Sequence, residues 1–180
     1  DDEHAQEDWL SAAADLATSL GIDPLTSTEA QHRRIFHLYL PVYFWLKLLL
    51  RQSSGSAASP SPSSSSNTGS SKKPPVVVGI NAPQGCGKTT IVSEMQRMLE
   101  KAGHQCVVMS IDDFYLTGAE QDALAARFPT NPLLQVRGNA GTHDLALALR
   151  TIRALTRGDD GTSDDCVRVP RYDKSARGGK

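Results

Sequence analysis

The stretch Val76–Thr90, VVVGINAPQGCGKTT, constrains this chain more than any other. It passes from an apolar, β-branched run, the pattern of a buried strand, through glycine-rich sequence to Gly87-Lys88-Thr89, where a helix-compatible pattern begins. Strand, glycine loop and helix in that order make a phosphate-binding loop. Glycines at 85 and 87 permit the tight backbone that turns successive N–H groups inward, and the start of the helix adds its positive dipole end. Phosphate oxygens are then expected along Ala82, Pro83, Gln84, Gly85, Cys86, Gly87, Lys88, Thr89 and Thr90. Lys88 reaches the β- and γ-phosphates of a nucleotide as a point charge, and the Thr89 hydroxyl ligates the magnesium that bridges them. The pattern G-x-x-x-x-G-K-[ST] has Ala82 in its first place. Alanine is the smallest departure, at a position that needs little room more than a positive φ.

The rest of the composition narrows the partners. A chain of 180 residues holds one domain with a proper core and some residues to spare, and its net charge of −1 leaves no electrostatic footprint for nucleic acid or an anionic membrane. Small molecules are the expected partners, and a monomer the expected state. Cys86, Cys106 and Cys166 are widely spaced and odd in number, which suggests neither a disulfide framework nor a zinc site and fits a reducing compartment. Cys86, inside the loop, reads either as a thiol activated by a helix N-terminus or simply as a small residue that fits a tight turn. The acidic start, DDEH, is not a signal peptide. Ile35–Leu50 is apolar but too short to span a bilayer, carries His37 and Lys47 and has Pro41 in its middle, so it reads as a helix buried on a core.

Three regions follow along the chain. Residues 1–51 read as a helical module. Trp9, Leu10, Ala13, Leu16, Ala17 and Leu20 fall near one helix face, Gly21 stops that helix, and Ser27 or Thr28 caps a second one running into the apolar stretch. The aromatic stripe Phe36, Tyr39, Tyr43, Phe44 and Trp45 fits core packing better than a ligand groove. Residues 52–75 read as a disordered linker, because eleven of the nineteen residues from Ser53 to Ser71 are serine. Residues 76–180 read as a nucleotide-binding domain. After the loop, Thr90–Ala102 forms a helix ended by Gly103, and Gln105–Ile111 a second buried strand, which together predict a βαβ unit of a parallel sheet.

Asp112 and Asp113 stand at the carboxyl end of that second strand, where open parallel sheets bind ligands. On an extended chain two adjacent acids cannot both point inward, so one is the candidate general base or metal partner and the other a structural cap. Beyond them a helix is expected over Glu120–Arg127, broken by Pro129–Pro132, then a glycine-punctuated loop from Leu133 to Asp144 with Thr142 as N-cap of a helix through Leu145–Thr156. Arg157–Asp165 reads as a solvated turn, and Cys166–Val169 as a short strand leading to Pro170–Ser175.

Four blocks, NAPQGCGKTT, SIDDFYLT, LLQVRGNAGTHDL and VPRYDKSA, occur in this order between Val76 and Lys180. Together they closely resemble D-glycerate 3-kinase of the plant and fungal type, within the P-loop kinase group that includes uridine kinase, phosphoribulokinase and pantothenate kinase. The resemblance implies an α/β fold of the P-loop NTPase type, with a parallel sheet and flanking helices. It also implies transfer of the γ-phosphoryl group of MgATP to the 3-hydroxyl of D-glycerate, giving 3-phospho-D-glycerate, the last step of photorespiration in plants.

Carried over residue by residue, the resemblance makes Asp112 the candidate base and magnesium partner with Asp113 second. Tyr115 would line the acceptor pocket or serve as a packed aromatic. Arg137 would take the glycerate carboxylate or stand solvated, His143 and Asp144 would meet substrate hydroxyls or cap a helix, and Arg171, Tyr172, Asp173 and Lys174 would anchor and shape the acceptor site. Members of the family continue past this block into another core strand and an arginine-bearing lid, so a truncated form with an incomplete sheet is expected. The resemblance places a plant or algal protein in the chloroplast, its transit peptide absent or removed, and any other in the cytoplasm. Another small-molecule kinase of the group, or a module that binds nucleotide without catalysis, are the alternative readings.

Overall fold

The computed structural model describes residues 2–23, 25–55, 75–157 and 167–176. Most of the serine-rich stretch, the expected turn over Arg157–Asp165 beyond Arg157 itself, Cys166 and the final glycines lie outside the described residues. The chain divides into two units. One takes the described residues through 55 together with Val76–Val108, and the other the described residues from Met109 onward.

In the first unit, α1 (Asp2–Ser19) buries Ala13, Leu16 and Ala17, with Trp9, Ala12 and Leu20 packed beside them. Leu10, one position round from Trp9 and so at the border of the stripe, is 55% exposed rather than part of the face. The helix ends as expected at Gly21: Ile22 N–H donates to Ala17 O at 2.8 Å and Gly21 N–H to Thr18 O at 3.1 Å, the paired bonds of a Schellman stop. Thr28 caps α2 (Glu29–Arg34) through a reciprocal box, Gln31 N–H to Thr28 Oγ1 at 3.3 Å and Thr28 N–H to Gln31 Oε1 at 2.7 Å. A π-helical turn, Ile35–Tyr39, then leads into α3 (Leu40–Gly55). It closes with Leu40 N–H reaching back five residues to Ile35 O. The widened turn falls just ahead of Pro41, which has no N–H to continue a regular ladder.

One core joins these helices to α4 (Lys88–Lys101), the helix that follows the glycine loop. Leu16, Ile35, Tyr39, Leu40, Tyr43, Leu46, Met95, Met98 and Leu99 form a single buried cluster. Residues on both sides of the serine-rich stretch thus share one interior. Most of the aromatic stripe is in or against it, Trp9 stacking on Phe44 at 4.9 Å, whereas Trp45 is 48% exposed. At the rim, Asp15 of α1 accepts from Lys101 Nζ at 2.6 Å and Arg97 Nη1 at 2.7 Å of α4, and Ser19 Oγ donates to Glu94 at 2.9 Å. The bond from Lys101, with help from Arg97 and against a smaller opposing effect of burial, holds the Asp15 carboxyl below its ordinary range.

The Tyr39 hydroxyl is buried and, among the described residues, has no hydrogen-bond partner. Tyr39→Phe removes that unpaired group while keeping the ring, and is expected to leave stability unchanged or raise it by about 1 kcal/mol in urea unfolding monitored by circular dichroism.

The expected strands differ. Among the described residues no strand is formed by the run from Val76, by Gln105–Ile111 or by 167–169; the one β pairing outside strands is an isolated antiparallel bridge between Tyr115 and His143. The first two runs keep the period of two: Val76, Val78, Cys106 and Val108 are half-buried, while Val77 and Val107 are 69% and 58% exposed. The β-branched pattern therefore selects an extended backbone with one face on the helices. A strand needs in addition a neighbour with which to exchange N–H···O=C bonds, and no ladder joins these runs. What the described residues establish is a helical architecture.

In the second unit, Asp112 and Asp113 lie not on extended chain but in a 3-10 turn, Ile111–Phe114, capped by Ser110. Next come α5 (Gly118–Arg127), boxed by Thr117 and Glu120, a 3-10 turn at Pro132–Leu134, and α6 (Leu145–Arg157). Asp144, not Thr142, caps α6: Leu147 N–H donates to Asp144 Oδ1 at 2.8 Å. Thr142 instead is fully buried, its hydroxyl donating to Asn139 O at 2.7 Å and accepting from Gly138 N–H at 3.1 Å, which closes the glycine-punctuated loop on itself. Thr142→Val keeps the shape and orphans both partners, so a loss of about 1–3 kcal/mol is expected in the same unfolding measurement.

Candidate functional site

The loop over residues 82–90, expected to bind phosphate, belongs to the first unit. Gly85 and Gly87 have φ of +79° and +87°, the left-handed conformation that residues with a Cβ rarely adopt. Gly87 is the N-cap of α4 and supplies no side chain to it, and no other side chain caps that end. Lys88, Thr89 and Thr90 therefore begin a fourteen-residue helix whose first N–H groups are available to an acceptor. Lys88 Nζ donates to Ala82 O at 2.6 Å and to Pro83 O at 2.7 Å, which draws the loop round the ammonium, with Cys86 Sγ at 4.0 Å. Gln84, Cys86, Thr89 and Thr90 are exposed. The donor set, a nest of backbone N–H groups with one fixed cation and a hydroxyl, matches the phosphates and magnesium of a nucleotide.

One neighbour of this loop had no signal in the sequence. Arg34, at the end of α2, brings Nη2 to within 2.8 Å of where a Cβ on Gly87 would stand. Nothing in its local pattern separates it from a solvated helix arginine.

The second unit gathers the remaining expected residues into one cluster. Lys174 Nζ donates to Asp112 Oδ2 at 2.5 Å, and the Tyr115 hydroxyl also bonds that carboxylate. Asp113 accepts from Ser110 N–H at 2.8 Å, from Tyr172 N–H at 3.3 Å and from Arg171 Nη1 at 3.4 Å, so it fastens the 3-10 turn to the segment 170–175. Tyr115 lies against His143, ring centroids 4.5 Å apart, and edge-on to Tyr172 at 5.2 Å. Arg137 covers the Tyr172 ring at 5.3 Å and donates to Lys174 O at 2.9 Å. Asp173 is turned to Ser175, accepting from its N–H at 2.9 Å and its hydroxyl at 2.6 Å. Asp112, Asp113, Tyr115, Arg137, His143, Arg171, Tyr172 and Lys174, up to 62 positions apart, thus meet in one place.

The hydrogen bond from Lys174, stronger than the opposing effect of burial and aided by Tyr115, holds Asp112 below its ordinary pKa. Burial, then the bond to Asp112, pushes the Tyr115 hydroxyl up to about 12, so it stays protonated and donating at neutral pH. Because the folded pKa of Asp112 is depressed, its contribution to stability is present above the unfolded value and lost as pH falls through the folded one. Lys174→Ala removes the largest cause. The Asp112 carboxyl is then expected to titrate at higher pH, read as a shifted midpoint of its side-chain carbon resonance by NMR.

Comparison with known proteins points in the same direction. No protein-family model matches the chain. Over 175 residues it is 35% identical to D-glycerate 3-kinase, chloroplastic, of Arabidopsis thaliana, a match covering 96% of this chain and 35% of that protein. It is 46% identical over 105 residues to an uncharacterized kinase, mug58, of Schizosaccharomyces pombe, covering 58% of this chain and 36% of the relative. Among solved structures, D-glycerate 3-kinase from Cryptococcus neoformans var. grubii serotype A superposes with a TM-score of 0.63 at 33% identity, over 79% of this chain and 44% of that one. The chain spans about a third of the length of the curated relatives it matches. No described helix is long and apolar enough to cross a membrane. By sequence along nearly all its length, and by structure along most of it, the chain is homologous to D-glycerate 3-kinase.

Proposed function

We propose that the chain carries the phosphate loop and acceptor residues of a glycerate kinase, which phosphorylates the 3-hydroxyl of D-glycerate with ATP. What supports this reading is that a chain homologous to D-glycerate 3-kinase holds, in one unit, a glycine-built, uncapped helix start bearing Lys88 and, in the other, a cluster of cations with two bonded carboxylates, Asp112 and Asp113. The fold proposed for the complete protein is the parallel-sheet P-loop type, with the extended runs from Val76 and Gln105 as its first strands. Magnesium would be held through the Thr89 hydroxyl and Asp112 and would neutralise the charge that develops on the transferring phosphoryl group.

This chain's own residues do the rest. The N–H groups of Gly85 through Thr90 and the Lys88 ammonium hold the phosphates, and the Thr89 hydroxyl would serve as a ligand to the metal. Asp112 accepts the proton of the substrate hydroxyl or orients the metal. A strong acid held ionised by Lys174 suits the second role as it stands, and the first once Lys174 turns to the incoming anion. Arg137, Arg171 and Lys174 supply positive charge for the glycerate carboxylate, and Tyr115, His143 and Tyr172 wall the pocket.

Phosphorus NMR of the product tests this. ATP and D-glycerate incubated with the chain, and with a form extended along its reading frame, are expected to yield a proton-coupled triplet, since a phosphate on C3 sees two protons. A doublet would place the phosphate on C2, and absence of any ester from both forms would overturn the assignment. Product from the extended form alone would favour the second reading, a nucleotide-binding module, for this chain by itself.

A further inference from the structure

The N-terminal helices are joined to the phosphate loop by more than a shared core. Arg34 is the last residue of α2, directly ahead of the π-helical turn Ile35–Tyr39. Its guanidinium lies 5.3 Å from the centroid of the Tyr39 ring, and Tyr39 is fully buried, so the cation rests on an immobile platform. From there Nη2 occupies the space at Gly87 that any other residue's Cβ would need, at 2.8 Å. Of the glycines in the loop, Gly85 has open space at that position; Gly87 alone has a neighbour there, and that neighbour is a cation.

The charge around Arg34 is unbalanced. Glu29, one turn earlier in α2, is taken by Arg33 at 2.6 Å. Among the described residues no carboxylate pairs with Arg34, and the next cation along the loop is Lys88, whose contacts are backbone carbonyls and a thiol. Two positive side chains thus stand at the loop, and among the described residues neither is paired with an acid. A guanidinium is planar, weakly hydrated and forked, and fits two oxygens of one phosphate.

We propose that Arg34 is a phosphate-binding residue of this site, its guanidinium meeting the β- and γ-phosphate oxygens of the nucleoside triphosphate where the loop turns at Gly87. This rests on the nucleotide reading of the loop. The helices of residues 2–55 then contribute a ligand as well as a wall of the core, and the loop is incomplete without them. Gly87 serves both its own backbone conformation and the approach of this guanidinium.

Isothermal titration of the chain with MgATP and with MgADP tests the assignment, using Arg34→Gln, Arg34→Lys and, as a reference, Lys88→Ala. Arg34→Gln is expected to weaken MgATP by roughly 10-fold or more and MgADP by a smaller factor, with Arg34→Lys in between. The residue is exposed, so its contact with the Tyr39 ring adds little and the melting temperature without nucleotide should fall by no more than about 4 °C. Should the glutamine variant melt early, the ratio of MgATP to MgADP affinity in Arg34→Lys decides instead, because a packing defect lowers both alike and charge placement lowers the triphosphate more. Unchanged MgATP affinity in both Arg34 variants, with Lys88→Ala still impaired, or equal losses for the two nucleotides, would overturn the role of Arg34 and leave the loop standing. Failure of the unaltered chain to bind MgATP, or unchanged binding in Lys88→Ala, would overturn the loop reading and this inference together.

Discussion

Lys88→Ala is expected to weaken MgATP binding by about 100-fold while changing the melting temperature by no more than about 2 °C. The asymmetry follows from where the ammonium sits. It stands at the first position of α4, and its partners in the protein are two carbonyls of the same loop, Ala82 O and Pro83 O. Pro83 is exposed and Ala82 half-buried, so water replaces most of what the carbonyls lose, at about 1 kcal/mol or less. The triphosphate loses a compact charge placed against its most anionic part, which water does not replace. Titration calorimetry and a thermal melt on the same preparation separate the two effects. Equal affinity in the variant would show that the glycine loop is a structural turn.

The largest effect on folding is expected at Leu16. This side chain is fully buried where α1 meets the segment Ile35–Leu46 and Met95–Leu99 of α4, in the cluster that unites the first unit. Leu16→Ala removes buried apolar surface and leaves a cavity among close-packed neighbours, a loss of about 3 kcal/mol. Against total stabilities of roughly 5–15 kcal/mol this is severe, and a fall in melting temperature of about 10 °C or more is expected. Because α4 bears the proposed phosphate loop at its start and packs through Met95, Met98 and Leu99 into the same cluster, nucleotide is expected to raise the melting temperature both of this variant and of the unaltered chain. A variant that melts normally would show that the N-terminal helices and α4 do not share a core.

Local signals in the sequence were read correctly because their causes are local. Gly21 and Gly103 end helices through bonds spanning five residues, and Thr28 caps a helix through a residue three positions on. The glycines at 85 and 87 follow from the backbone a phosphate nest requires. Where the outcome depends on a distant partner, spacing alone was insufficient. The valines from Val76 and around Val107 show the alternation of strands, yet a strand is a relation between two chains, and among the described residues neither has found one.

Thr142 and Asp144 are both good caps by type. Which of them caps α6 is settled by the loop from Gly138, whose N–H and neighbouring carbonyl claim the threonine hydroxyl. The wide turn ahead of Pro41 and the reach of Arg34 to Gly87 have no sequence pattern of their own. The cluster of Asp112, Tyr115, Arg137, His143 and Lys174 was approached through family resemblance. Its members come from three segments of the chain, and no periodicity connects Asp112 with Lys174 across 62 positions.

The central claim is that this chain carries the nucleotide and acceptor residues of a glycerate kinase. The most direct test is release of ADP from MgATP on addition of D-glycerate, followed in a coupled assay on the chain and on its extended form, with uridine and pantothenate as rival acceptors. The account predicts ADP release that depends on D-glycerate, is not supported by the other two, and disappears in Lys88→Ala. ADP release driven by uridine or pantothenate rather than glycerate, or glycerate-dependent release that survives Lys88→Ala, would contradict it.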